Sequence, residues 1–181
     1  GRGVVGWAKA TTGVTRGVYG RSDSPDGYGV YYHGGINGTG LMRAVVRTSR
    51  GPTALDAMTA AGSWVEDFGE GHLVSGRCHI ELDPLFLETV TIDDANPMKV
   101  FVEHRGPCGG TYVLTGETGF DVVEQESGTS TCAFMYRVVA KRKGFEEKRL
   151  DVCEAARTDS YLYPELREKS ESEASGERLE E

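Results

Sequence analysis

The sequence lacks the short local signatures that carry common chemistries. It has no Gly-x-Ser-x-Gly elbow, no phosphate-binding glycine loop and no His-Glu-x-x-His helix. Basic charge is in short supply: 20 Lys and Arg face 28 Asp and Glu, a formal net charge of −8. That balance argues against a general nucleic-acid binder, whose affinity comes from clustered cations displacing counterions from phosphates. No apolar run approaches the roughly 20 residues that a membrane-spanning helix needs, so no membrane span is expected. Cysteines are few, and none of Cys78, Cys108, Cys132 and Cys153 shares a Cys-x-x-Cys spacing, which excludes a zinc ribbon or a dithiol redox motif and leaves their pairing open. The sequence opens at Gly1-Arg2-Gly3 without an initiator Met or a signal peptide, the expectation for a mature product or a piece of a longer chain.

What is abundant is glycine, 25 residues in 181, against an average usage of about 7%. Glycines crowd the first forty residues, where a short theme recurs: Gly3-Val4-Val5-Gly6, Gly17-Val18-Tyr19-Gly20, then Gly29-Val30-Tyr31-Tyr32. Val and Tyr favour extended backbone, and Gly allows tight turns. Each unit therefore reads as a short strand closed by a turn, with Ser22 to Gly27 as one such turn. Strands this short bury little alone and need to stack on copies of themselves or on other subunits. Val4, Val5, Val18, Tyr19, Tyr28, Val30, Tyr31 and Tyr32 are the candidate contacts between chains. A flexible linker is the plainer alternative.

After Leu41 the pattern becomes that of conventional strands. Met42–Thr48, Gly71–Ser75, Arg77–Leu82, Thr89–Ile92, Met98–His104, Thr111–Leu114, Phe120–Glu124 and Thr131–Lys141 are predicted strands, separated by Gly-, Pro- and Asp-rich turns. In Arg77–Leu82, Cys78, Ile80 and Leu82 share one face. In Thr131–Lys141, Cys132, Phe134, Tyr136, Val138 and Ala140 do so. Helix is predicted only over the Ala-rich Thr53–Ala61 and from Tyr163-Pro164-Glu165-Leu166. The organisation expected is all-β: a Gly-rich repeat stalk over 1–40, built as a β-solenoid or an interwoven trimeric β-fibre, a β-sandwich-like domain over 41–153, and an acidic polar tail over 154–181. From Glu165 to Glu181 that tail sets seven Glu against Arg167, Lys169 and Arg178.

Candidate chemical groups read as structural. His33, His72, His79 and His104 could join the cysteines in a zinc site, with His104 and Cys108 the best pair, but alternation turns His79 outward beside an inward Cys78, and buried thiols fit the cysteines better. Glu66, Asp67 and Glu70 surround Trp64 and Phe68, yet a period-two strand splits these acids between faces, unlike a hydrolase pair across a cleft. Asp23 and Asp26 beside Gly27 match part of a calcium loop but lack the other oxygen ligands. No metal and no cofactor is expected, and the chain reads as a non-enzyme.

Four further stretches carry a family resemblance: Trp64 to Gly76; Glu81-Leu82-Asp83-Pro84-Leu85-Phe86; Lys99 to Val102 with Gly106-Pro107-Cys108-Gly109-Gly110-Thr111-Tyr112-Val113; and Phe120 to Glu124 with Gly128-Thr129-Ser130 through Tyr136 to Lys143. With the N-terminal repeats, they resemble a bacterial and phage fibre-like family in which Gly-Val-Tyr-Gly repeats precede a C-terminal β-domain. The resemblance implies a homotrimeric extracellular or virion-associated fibre end in the style of phage tail fibres. The chain is expected to trimerise through both its stalk and its β-domain, at an extracellular, cell-surface or virion location, with a host surface glycan or protein as the candidate ligand at the tip. Trp64 and Tyr112 are the candidate ligand contacts, as aromatic platforms. Rival expectations are a cell-surface filament assembled head to tail by strand complementation, and a carbohydrate-binding or carbohydrate-hydrolysing module.

Overall fold

Strand β9, Ala133–Arg142, organises the C-terminal half, because its period-two alternation gives it one face that is apolar from Phe134 to Ala140 apart from the Tyr136 hydroxyl. Phe134, Val138 and Ala140 on that face are buried, as is Cys132 just before the strand, while Ala133 and Met135 opposite them are exposed. In the computed structural model, which describes residues 3–153, β9 pairs antiparallel with β3, Trp64–His72, on one side. Along its other side lie β5, Val90–Thr91, and β6, Lys99–His104. A second sheet places β8, Gly119–Glu124, between β4, Arg77–Glu81, and β7, Thr111–Thr115. Phe120 and Val122 from β8 join Phe134 and Val138 from β9 and the intervening Leu73 in one buried cluster, so the two sheets share a core. Phe120 and Tyr136 meet edge to face at 5.2 Å between ring centroids, the geometry that aromatic quadrupoles favour.

The chain divides between Leu55 and Asp56 into two compact units. The first holds, but for the final residue Asp56, a two-stranded hairpin of β1, Arg43–Thr48, and β2, Gly51–Asp56. This hairpin replaces the helix expected over Thr53–Ala61: Gly51 at φ +102° turns the chain, and the Thr48 hydroxyl, bonded to the Gly51 carbonyl and paired with the Thr53 hydroxyl, ties the corner. Alanine propensity is a weak preference beside such a turn. Residues 3–42 form no strand, contrary to expectation: the glycines that bound each unit lose more conformational freedom on ordering than the strand preference of Val and Tyr returns. Their backbone instead crosses itself at glycines. A Cβ on Gly6 would lie 2.2 Å from the Gly17 carbonyl oxygen, and one on Gly20 would lie 2.0 Å from that of Gly29.

In the second unit, the strand expected over Gly71–Ser75 starts earlier and ends at His72, and the chain then turns at Ser75 (φ +52°) and Gly76 (φ +76°). Glycines 69 and 71 stand opposite Tyr136 and Phe134 in the register, and their missing side chains make room for those rings. A six-residue helix α1, Pro84–Thr89, was not expected. Asp83 caps it by accepting the Leu85 N–H at 2.7 Å, with Pro84 opening the first turn. The expected helix from Tyr163 and the acidic tail lie outside the described residues.

Candidate functional site

The outward face of the β3–β9–β6 sheet brings aromatic and charged side chains from three strands side by side. Register fixes its rows: Glu66–Val139–Lys99, then Phe68–Arg137–Phe101, then Glu70–Met135–Glu103, with Trp64 beside Lys141 at one end. Phe68 and Phe101 are 64% and 56% exposed, far more than a strand aromatic in a one-faced sheet needs to be. Arg137 binds Glu66 through Nε at 2.7 Å and Nη2 at 2.6 Å, and its guanidinium lies 5.7 Å from the Phe101 ring centroid. Two ammonium groups lie over the Trp64 ring, Lys99 Nζ at 4.4 Å and Lys141 Nζ at 4.7 Å from its centroid. Lys141 also donates to the Glu146 carbonyl at 2.7 Å. A cleft of about 300 Å³ opens at this end, between Trp64, Glu66, Lys99, Phe101 and Arg137.

Of the two aromatic platforms expected, Trp64 is half-buried at this cleft, whereas Tyr112 projects from β7 in the other sheet. The structure therefore does not bring them together. Glu66 faces outward and Asp67 inward, which separates the acids as the alternation predicts, and Glu66 is already engaged by Arg137. The eight candidate contacts in the first unit, from Val4 to Tyr32, are all exposed, Tyr31 at 82%. Asp23 pairs with Arg21 at 2.7 Å, and the Asp26 N–H donates to the Ser24 hydroxyl at 3.3 Å, so this segment is a hydrogen-bonded turn. His104 bonds Thr111 through Nε2 at 3.1 Å, and all four cysteines are unpaired thiols.

Two other polar clusters are structural. Glu124 is buried at 4% exposure, and its carboxylate accepts from the Gly109 N–H at 2.7 Å, the Ser130 N–H at 2.8 Å and the Ser130 hydroxyl at 2.7 Å. The Gly109 bond foremost, then those from Ser130, hold its pKa below the usual carboxylate value of 4.5. Its contribution is complete above that value and disappears as pH falls through the lowered pKa. Glu124→Gln should lower the melting temperature at pH 7 by roughly 5–10 °C, because an amide cannot accept the same three bonds. The gap in melting temperature between the two proteins should be full at pH 7 and shrink only as pH falls through the lowered pKa; a gap that widens towards acid would contradict this account.

His79 on β4 bridges Glu81 at 3.2 Å and Asp121 at 3.1 Å. The bond to Glu81, followed by that to Asp121, raises its pKa above 6.5. The bridge is therefore fully present below pH 6.5 and lost as pH rises through the raised pKa. Melts at pH 5.5 and 9 should show a small loss on the alkaline side that His79→Gln removes. No difference between the two proteins at pH 5.5 would count against the bridge.

No family model, curated protein or solved structure matches the chain.

Proposed function

We propose that this chain is a structural subunit of an extracellular, cell-surface or virion fibre, that three copies join through the N-terminal repeats, and that it has no catalytic role. The observation that carries the reading is the contrast between the two units. The second has a buried apolar cluster, whereas among the described residues of the first no side chain is buried. Burying a large apolar side chain is worth about 1.5–3 kcal/mol, so the eight exposed Val and Tyr side chains represent at most roughly 12–24 kcal/mol that a lone chain leaves unused. At roughly 100 Å² each they present about 800 Å², the area one partner contributes to a standard interface.

The paired glycines add a second support. Gly6 meets Gly17 and Val18 as Gly20 meets Gly29 and Val30, so one crossing geometry occurs twice at the repeated motif. On this reading the first unit is a stalk, solenoidal or interwoven, ahead of a sandwich-like domain, the arrangement of the fibre-like family that the repeats resemble. The C-terminal domain would then carry adhesion to a host surface glycan or protein.

A specific observation favours a second reading. The β1–β2 hairpin forms a sheet of its own, and a two-stranded hairpin is marginally stable until something completes it. Strand complementation between copies would give an open head-to-tail filament. Chemical cross-linking of the purified chain separates the two: bands that stop at three copies are expected for the closed fibre, and a ladder continuing beyond three would overturn it in favour of the filament.

A further inference from the structure

We propose that the cleft at the Trp64 end of the β3–β9–β6 face binds an acidic sugar, a pyranose bearing a carboxylate. This names the ligand for the adhesive part of the fibre reading, although the cleft itself lies within one chain and does not require assembly. Charge comes first. In a chain of net charge −8, this end of the face sets Lys99, Arg137 and Lys141 against Glu66 on the face and Glu146 beside Lys141, while Glu70 and Glu103 stand at the opposite end. Lys99 lies over the Trp64 ring but has no carboxylate partner among the described residues, so its ammonium is free to take one from a ligand.

The remaining groups match the rest of a sugar ring. Glu66 and Arg137 hold each other through Glu66 Oε2, which leaves Oε1 to accept and the guanidinium to donate to ring hydroxyls. Phe101, 56% exposed, supplies apolar surface for the C–H face of the pyranose, while the Trp64 ring, with Lys99 and Lys141 over it, holds both ammonium groups at the cleft. Size argues for a small ligand over a second copy. Three strands and four rows cover roughly 20 Å by 10–15 Å, well short of the ~800 Å² per partner of a standard protein interface. A cleft of about 300 Å³ is instead at the lower end of small-ligand sites.

Native gels cast with polygalacturonate, neutral dextran or dextran sulfate test the proposal on the full chain. Retardation by polygalacturonate and none by dextran is expected, with Lys99→Gln and Trp64→Ala each raising the apparent Kd at least tenfold and Lys143→Gln leaving it unchanged. Lys99 is exposed, so its variant keeps the fold even if Trp64→Ala does not. The proposal is overturned by absence of retardation, by Lys99→Gln behaving as the parent chain, or by dextran sulfate acting more strongly on parent and Trp64→Ala alike, which would be unspecific charge. A Lys99→Gln variant altered only in oligomeric mass would make the face a contact between copies and overturn it too. A monomer that binds polygalacturonate would end the fibre reading and leave the cleft standing; a trimer that does not bind would do the reverse.

Discussion

Gly71→Ala should destabilise the C-terminal unit by about 3 kcal/mol and lower its melting temperature by roughly 10–20 °C. The added Cβ would lie 2.2 Å from Cζ of Phe134, whose side chain is among the most deeply buried in the core. Neither partner can yield easily, since Gly71 is held in the β3–β9 ladder and Phe134 is packed from both sheets. Gly116→Ala is the matched control: its Cβ would meet only the Gly119 carbonyl oxygen at 3.5 Å, an ordinary contact. Combining Gly71→Ala with Phe134→Leu should cost less than the sum of the separate changes, because the smaller side chain vacates the space that the Cβ needs. If Gly71→Ala melts within a degree or two of the parent, the glycine-for-ring exchange across β3 and β9 is not what sets this pairing.

Gly20→Val should have the larger effect on assembly and almost none on the melting of the C-terminal unit. Its Cβ would stand 2.0 Å from the Gly29 carbonyl oxygen, a backbone atom that cannot move aside like the end of a flexible side chain. On the fibre reading, the repeat crossing then fails and copies separate, with the dissociation midpoint shifting at least tenfold in concentration. Gly38→Val serves as control, since a Cβ at Gly38 meets nothing within 4 Å. Equal sedimentation profiles for the two variants would mean that the crossings do not matter to assembly.

Much of the second unit was legible because alternation reports burial directly. The inward set Cys78, Ile80 and Leu82, and the set Cys132, Phe134, Tyr136, Val138 and Ala140, are the more buried faces of β4 and β9 and their flanks. Where sequence reading failed, the deciding partner lay far along the chain. Gly69 and Gly71 look like strand breakers until Tyr136 and Phe134 are known to fill the space beside them. Asp83-Pro84 did carry a helix-start signal, but six residues give too little periodicity to register. The candidate cleft shows the same limit. Trp64 stood out as an aromatic among acids, whereas Lys99, Phe101 and Arg137 join it only through the registers of β3 and β6 against β9, which no local pattern encodes. In the first unit the repeats are plain in the sequence, yet the strands expected of them do not form, because glycine's backbone freedom outweighs the extended preference of Val and Tyr in units this short.

The most direct test of the account is the mass in solution, by light scattering after size-exclusion chromatography, of the full chain and of one starting at Leu41. The account predicts three times 19.6 kDa for the full chain and dissociation of that species once the repeats are removed. A full chain that elutes as a stable monomer, unchanged by the truncation apart from the mass removed, would contradict it.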